Sequence, residues 1–131
     1  GKISVVYLDL NHFKQINDNY GHEIGDKVLK QLAHRILQVW KGHAYRIGGD
    51  EFILVGNIKR DQLEEIQAYL QRFVFVDVER DVSFDVTVAV GVSTDRDSYM
   101  SLQEVLHQTD QAMYETKHQR NVVTPIRMRH R

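Results

Sequence analysis

Two adjacent glycines, Gly48 and Gly49, stand between the strand-like run Ala44 to Ile47 and the apolar run Phe52 to Val55. A two-residue turn between antiparallel strands needs positive φ, which glycine alone adopts without strain, so the stretch predicts a β-hairpin closed by Gly48-Gly49. Two carboxylates, Asp50 and Glu51, follow at once. Like charges this close repel unless a cation neutralises them, so the pair points to a magnesium site; the alternative is a solvated turn that happens to be acidic. Strand residues alternate faces. The two acids therefore serve one site only where the turn is still twisting, or where one binds and the other orients.

At 131 residues the chain is one domain, long enough to bury about two-thirds of its unfolded surface. It has no cysteine, which fits a reducing compartment and leaves any metal to oxygen or imidazole ligands. Seventeen basic and eighteen acidic residues give a formal charge of −1, which excludes a global electrostatic footprint for duplex DNA or an anionic membrane. Any phosphate binding is then local. No apolar run approaches the roughly 20 residues that span a bilayer, and Gly1-Lys2-Ile3 opens directly into a strand pattern without a signal peptide. The chain reads as an excised module of residues 1–124 with a basic tail or linker at 125–131.

Ile3 to Leu8 is apolar on both faces, as in a central strand covered on both sides, and it ends in Asp9 at the sheet's rim. Asn11 to Asn17 reads as a short helix with Asn11 as N-cap. Free N–H groups at its start and the ammonium of Lys14 would cradle phosphate, against the plainer reading of Lys14 as a solvated lysine. Val28, Leu32, Ile36 and Trp40 recur every four residues along a long helix that Glu23 to Asp26 enters. Asp26 in its first turn complements the helix dipole, or pairs with Asn17 to read guanine, the carboxylate accepting from N1–H and N2–H.

Beyond the hairpin, Asp61-Gln62-Leu63-Glu64 is a capping-box pattern that opens a helix carrying Leu63, Ile66 and Leu70. Phe73 to Val78 and the alternating run Phe84 to Val92 predict strands that pair around Arg80-Asp81. A second capping box at Ser101 to Glu104 opens a helix through Met113, and Asn121 to Thr124 predicts an edge strand stopped by Pro125. Lys117 and Arg120 close that helix as ordinary dipole partners or as phosphate contacts. This order predicts an α+β fold, a ferredoxin-like palm with an antiparallel-rich sheet, in which the first strand adjoins the hairpin and brings Asp9 beside Asp50 and Glu51. Acids from two strand ends beside a phosphate-cradling turn are what metal-assisted phosphoryl or nucleotidyl transfer needs.

The sequence resembles the GGDEF family of diguanylate cyclases over nearly its whole length. The likeness is carried by YLDLNHFKQINDNYGHEIGD at residues 7–26, RIGGDEF at 46–52, and VTVAVGVS with DQAMYETK further on. The resemblance implies a module similar to polymerase and nucleotide-cyclase palms that condenses two GTP into cyclic di-GMP with release of pyrophosphate. It implies magnesium or manganese on Asp9, the backbone carbonyl of Leu10 and Asp50. Asn17 and Asp26 would hold guanine, with His22 near the nucleoside. The N–H groups around His12 and Phe13, with Lys14, Lys117 and Arg120, would hold the phosphates. Glu51 would bind a second metal or help deprotonate the attacking 3′-hydroxyl, making Asp50, Glu51 and Lys14 the catalytic set. Each copy holds one GTP, so an antiparallel homodimer is expected. So are an upstream sensory or dimerising domain, a cytoplasmic site and no nucleic-acid partner.

Four departures from the family pattern stand out. Asn11 occupies a position usually held by a second aspartate. Val39 and Gly42 replace the Arg-x-x-Asp of the product-inhibition site, so inhibition there is expected to be absent. The spacing from Lys117 to Arg120 is one residue short and lacks its glycine. The Asp-x-Leu-Thr lead-in does not occur, so the chain is expected to begin inside the domain. These departures keep a second function open: a weak or inactive GGDEF module that binds GTP and regulates a partner, such as a fused phosphodiesterase domain downstream.

Overall fold

The computed structural model describes residues 2–97 and 124–125. The first strand, β1 (Lys2–Leu10), is central, and its composition follows from that position. Val6, Leu8 and Leu10 enter a large apolar cluster shared with the helices, whereas Val5 enters a second cluster with Ile47, Ile53 and Val55, lined by Ile3, Tyr7 and Tyr45. Both faces of β1 are therefore apolar because both are buried.

After β1 come α1 (Phe13–Tyr20), α2 (His22–Val39), β2 (His43–Arg46), β3 (Glu51–Gly56), α3 (Arg60–Leu70), β4 (Arg72–Asp77), β5 (Val82–Asp97) and β6 (Thr124–Pro125). The sheet order is β4-β5-β1-β3-β2-β6, and every described pair is antiparallel. Since β3 runs antiparallel to both β1 and β2, those two run parallel with β3 between them. This is the split β-α-β arrangement of a ferredoxin-like palm.

The helical stripes match the sequence periodicity. Ile24, Val28, Leu29, Leu32 and Ile36 bury one side of α2, Leu63 and Leu70 anchor α3, and all three described helices meet the same apolar cluster. Trp40 ends α2, donating its backbone N–H to the Ile36 carbonyl at 2.8 Å and its indole N–H to the His43 carbonyl at 3.1 Å. That bond ties the helix end to the start of β2.

Two predicted element boundaries differ. Lys59 rather than Asp61 precedes α3, no side chain caps that end, and the Leu63 N–H bonds to the Lys59 carbonyl at 2.9 Å. Asp61 then lies inside the first turn, where its charge suits the helix dipole. Pro125 does not stop β6 but belongs to it, paired with Tyr45. The predicted helix at Ser101 to Met113 and residues Asn121 to Val123 of the predicted edge strand lie outside the described residues.

A network of charges joins α2 to the hairpin formed by β4 and β5. Asp77, 7% exposed, accepts from the Lys27 ammonium at 3.0 Å, from the Arg80 guanidinium at 3.0 Å and from the Arg80 backbone N–H at 3.2 Å. Arg80 also pairs with Glu23 in the first turn of α2. The hydrogen bond from Lys27, reinforced by Arg80, holds the Asp77 carboxyl below the usual carboxylate range. Above this network the Tyr20 ring stacks on Phe84 with centroids 4.6 Å apart, so the hairpin grips both helices beside their connection at Gly21.

Candidate functional site

The ends of β1 and β3 bring the predicted acids together. Asp9 lies directly opposite Glu51 in the antiparallel register, and the Leu10 N–H donates to the Asp50 carbonyl at 3.0 Å. Asp9, Leu10, Asp50 and Glu51 thus occupy one corner of the sheet. Asp9 also lines an open depression of about 240 Å³ with Tyr7, Leu8, Ala89, Val90 and Gly91.

The hairpin forms, but its turn differs from the two-residue one expected. Ile47 donates its N–H to the Glu51 carbonyl at 2.9 Å, so Gly48, Gly49 and Asp50 make a three-residue loop, and neither glycine has positive φ. Gly48 has a different constraint: a Cβ there would stand 3.1 Å from the Glu51 Oε1, a tight contact. The loop is held from below by Arg46, which donates through Nε to the Gly48 carbonyl at 3.1 Å and through Nη2 to the Gly49 carbonyl at 2.6 Å. Four successive carbonyls, from Gly48 to Glu51, are thereby engaged. The role of Arg46 is not legible in the motif, since its partners are backbone carbonyls that no residue pattern marks.

The two acids separate by burial. Glu51 is 3% exposed and folds back over the turn, while Asp50 is half-buried. Among the described residues no group of three His, Asp or Glu side chains is gathered closely enough to hold a metal ion by itself.

Between β1 and α1 the chain makes a two-residue turn. His12, at φ 60° and ψ 29°, is left-handed and stands at the N-cap position without a side-chain cap bond. Asn11 is therefore not the cap. Its backbone N–H bonds to the Thr87 carbonyl at 2.9 Å and its side-chain Nδ2 to the Thr87 hydroxyl at 3.0 Å. Phe13 packs on the core and Lys14 is exposed in the first turn of α1.

Asn17 reaches across to α2. Its Oδ1 is buried without a hydrogen-bond partner among the described residues, and a Cβ on Gly25 would lie 1.9 Å from it. Gly25 therefore gives Asn17 its place, next in sequence to Asp26. A glycine inside a helix, which is unfavourable unless something needs the space, was the signal for this. Asp26 is exposed and lies in the second turn of α2, not the first, because the helix starts at His22; its value to the dipole is correspondingly small. His22 is exposed at that start. Lys117 and Arg120 lie outside the described residues.

The chain also has clear relatives among known proteins. The family profile described as "Diguanylate cyclase, GGDEF domain" matches residues 1–122. The chain is 31% identical over 134 residues to Diguanylate cyclase VdcA of Vibrio cholerae, an alignment covering 95% of this chain and 39% of that protein. It is 30% identical over 122 residues to Cyclic di-GMP phosphodiesterase NbdA of Pseudomonas aeruginosa, covering 88% of this chain and 15% of that one. The chain thus spans no more than about two-fifths of either relative. The crystal structure of the GGDEF domain of DgcB from Caulobacter crescentus in complex with c-di-GMP matches with a TM-score of 0.67 at 29% identity, covering 89% of this chain and 72% of that one. A profile spanning almost every residue, relatives at 30% identity or more and a shared palm lead to one conclusion: the chain belongs to the GGDEF family of diguanylate cyclases.

Proposed function

We propose that this chain is the catalytic module of a diguanylate cyclase, condensing two GTP into cyclic di-GMP and pyrophosphate. The observation that carries this is the pairing of Asp9 with Glu51 at adjoining strand ends, beside the Asp50 carbonyl bonded to Leu10. Hard oxygen donors from one or two carboxylates, completed by substrate phosphates and water, are the usual surroundings of magnesium, so a corner with few protein ligands fits magnesium or manganese. Asp9, Asp50 and the Leu10 carbonyl would hold the ion. When bound, it neutralises triphosphate charge and lowers the pKa of the attacking hydroxyl.

The chain's own groups do the rest. The N–H groups around His12 and Phe13, with Lys14 and, from outside the described residues, Lys117 and Arg120, would hold the phosphates and stabilise charge on the leaving pyrophosphate. Asn17 and Asp26 would hold guanine, with His22 near the nucleoside. The buried, unpartnered Oδ1 of Asn17 supports this assignment, since it calls for a donor such as the guanine N2 amine. Glu51 would accept the proton of the attacking 3′-hydroxyl or bind a second ion. Two modules must face each other antiparallel, so that each 3′-oxygen bonds to the other nucleotide's α-phosphorus as its bond to the β-phosphate breaks.

A second reading, a GTP-binding module that regulates a partner such as a fused phosphodiesterase, is supported by the likeness to NbdA. Among the described residues no helix is long and apolar enough to cross a membrane. A site that uses GTP would face the cytoplasm, whatever sensory or dimerising domain lies upstream.

The test is incubation of concentrated protein with GTP and magnesium, followed by chromatography for cyclic di-GMP. Product rising more than linearly with protein concentration is the expected result. Tight GTP binding without product, even when a fused coiled coil forces dimerisation, would establish the regulatory reading. Asp50→Ala or Glu51→Ala should abolish product with the fold intact, and undiminished product from either would remove that residue from the mechanism.

A further inference from the structure

We propose that Asn11 and Thr87 form a positioning pair, whose amide–hydroxyl hydrogen bond holds the turn between β1 and α1 in the shape that presents the N–H groups of His12 and Phe13 and the Lys14 ammonium to phosphate. Two residues separate the last position of β1 from the first of α1, and one of them, His12, is held at φ 60°. A residue with a Cβ stays in the left-handed region only when its surroundings over-determine it. No side chain caps this helix start.

What does hold the turn is Asn11. The last paired residues of β1 and β5 are Leu10 and Val88, and Asn11 adds a rung beyond them. Both its backbone N–H and its amide reach Thr87, at 2.9 and 3.0 Å. Two bonds from one residue to one strand residue fix both the position and the rotation of the peptide that leads into His12. Asp9 lies two residues upstream and Lys14 three downstream, so the pair sets the distance between the acidic corner and the phosphate-binding turn.

The pair accommodates either an amide or a carboxylate at position 11. A threonine hydroxyl both accepts and donates, so it bonds an asparagine amide as acceptor and an aspartate carboxylate as donor. Asparagine here spends its side chain on β5, and its difference from aspartate is not the loss of a metal ligand.

The inference rests on the proposed GTP site for its ligand arm, and its test keeps the two apart. Thr87→Val removes the hydroxyl and keeps the shape; Thr87→Ser restores it. Amide hydrogen exchange on the unliganded protein should show Asn11 and Ile16, whose N–H groups bond the Thr87 and His12 carbonyls, exchanging about fivefold faster in Thr87→Val, as the loss of one net hydrogen bond implies, with α2 and β3 unaffected. Thr87→Ser and Asn11→Asp should restore slow exchange, and Asn11→Ala should match Thr87→Val. Calorimetry with 3′-deoxy-GTP and magnesium, which cannot react for want of the attacking hydroxyl, should show affinity falling by a similar factor, with preference for guanine over hypoxanthine nucleotide retained. Unchanged exchange at the turn, or a rise shared equally by α2 and β3, would overturn the pair. A wild-type protein that binds no guanine nucleotide would overturn the proposed function instead, while the exchange measurement still decides the pair.

Discussion

The Glu51 carboxylate folds back over the turn that precedes it, so close to Gly48 that a Cβ there would meet Oε1 at 3.1 Å. The atom met is the end of a flexible side chain, which can shift by a few tenths of an ångström to admit a methyl. Gly48→Ala should therefore displace the acid rather than unfold the chain. We expect cyclic di-GMP formation to fall by about tenfold, equivalent to ~1.4 kcal/mol of lost transition-state stabilisation, with little change in the thermal midpoint. Full activity in the variant would show that the orientation of Glu51 does not matter.

Arg46 makes a related prediction. Arg46→Met keeps the aliphatic stem but removes both bonds to the glycine carbonyls, so the signature turn loses its support from below. Turnover should drop more than affinity for GTP, because the side chains proposed to hold guanine, Asn17 and Asp26, lie on α1 and α2. Steady-state kinetics separate the two. An effect confined to KM would place the importance of Arg46 elsewhere.

Gly25→Ala opposes stability to function. Alanine in a helix interior is favoured over glycine by about 0.5–1 kcal/mol, so α2 itself should gain. The new methyl would stand where Asn17 Oδ1 now lies, forcing that side chain out. The melting temperature should hold or rise while GTP binding weakens by roughly tenfold or more and preference over ITP shrinks. Unaltered nucleotide preference, measured by calorimetry, would refute a guanine role for Asn17.

Acid sensitivity should trace in part to Asp77. Its carboxyl is held below the ordinary value, first by Lys27 and then by Arg80, so the folded state gives up this proton more readily than the unfolded chain does. The stabilisation is fully present above the ordinary carboxylate value of about 4 and is lost as pH falls through the depressed folded value. Asp77→Asn should be less stable than the wild type at neutral pH, with the difference narrowing under acid. Urea unfolding at pH 7 and pH 3 measures this, and a difference that stays constant would disprove it.

Much of the architecture was legible because burial writes itself into composition. β1 is apolar on both sides because two clusters meet there, and α2 repeats every four residues because one stripe of it is core. The meeting of Asp9 with Glu51 followed from making the hairpin a neighbour of the first strand. What was not legible depends on partners distant in sequence. Asn11 looked like a cap because capping chemistry is local, but the group that claims its amide is 76 residues away. The Gly-Gly pair looked like a positive-φ turn, yet Gly48 answers to a side chain folding back from Glu51, which no turn rule anticipates. Asp26 shifted from the first helical turn to the second because Gly21, at φ 92°, lets α2 begin at His22.

The antiparallel rung joining Asp9 to Glu51 makes this corner intolerant of changes in length. Sliding β3 by one residue along β1 would set Asp50 or Phe52 against Asp9 and turn every side chain of the strand to the opposite face. A single inserted or deleted residue within β1 or β3 is therefore graver than most substitutions there, because it exchanges the two cores as well as the acids. Variation at this end of the sheet is confined to which residue fills a position, and the number of positions is fixed.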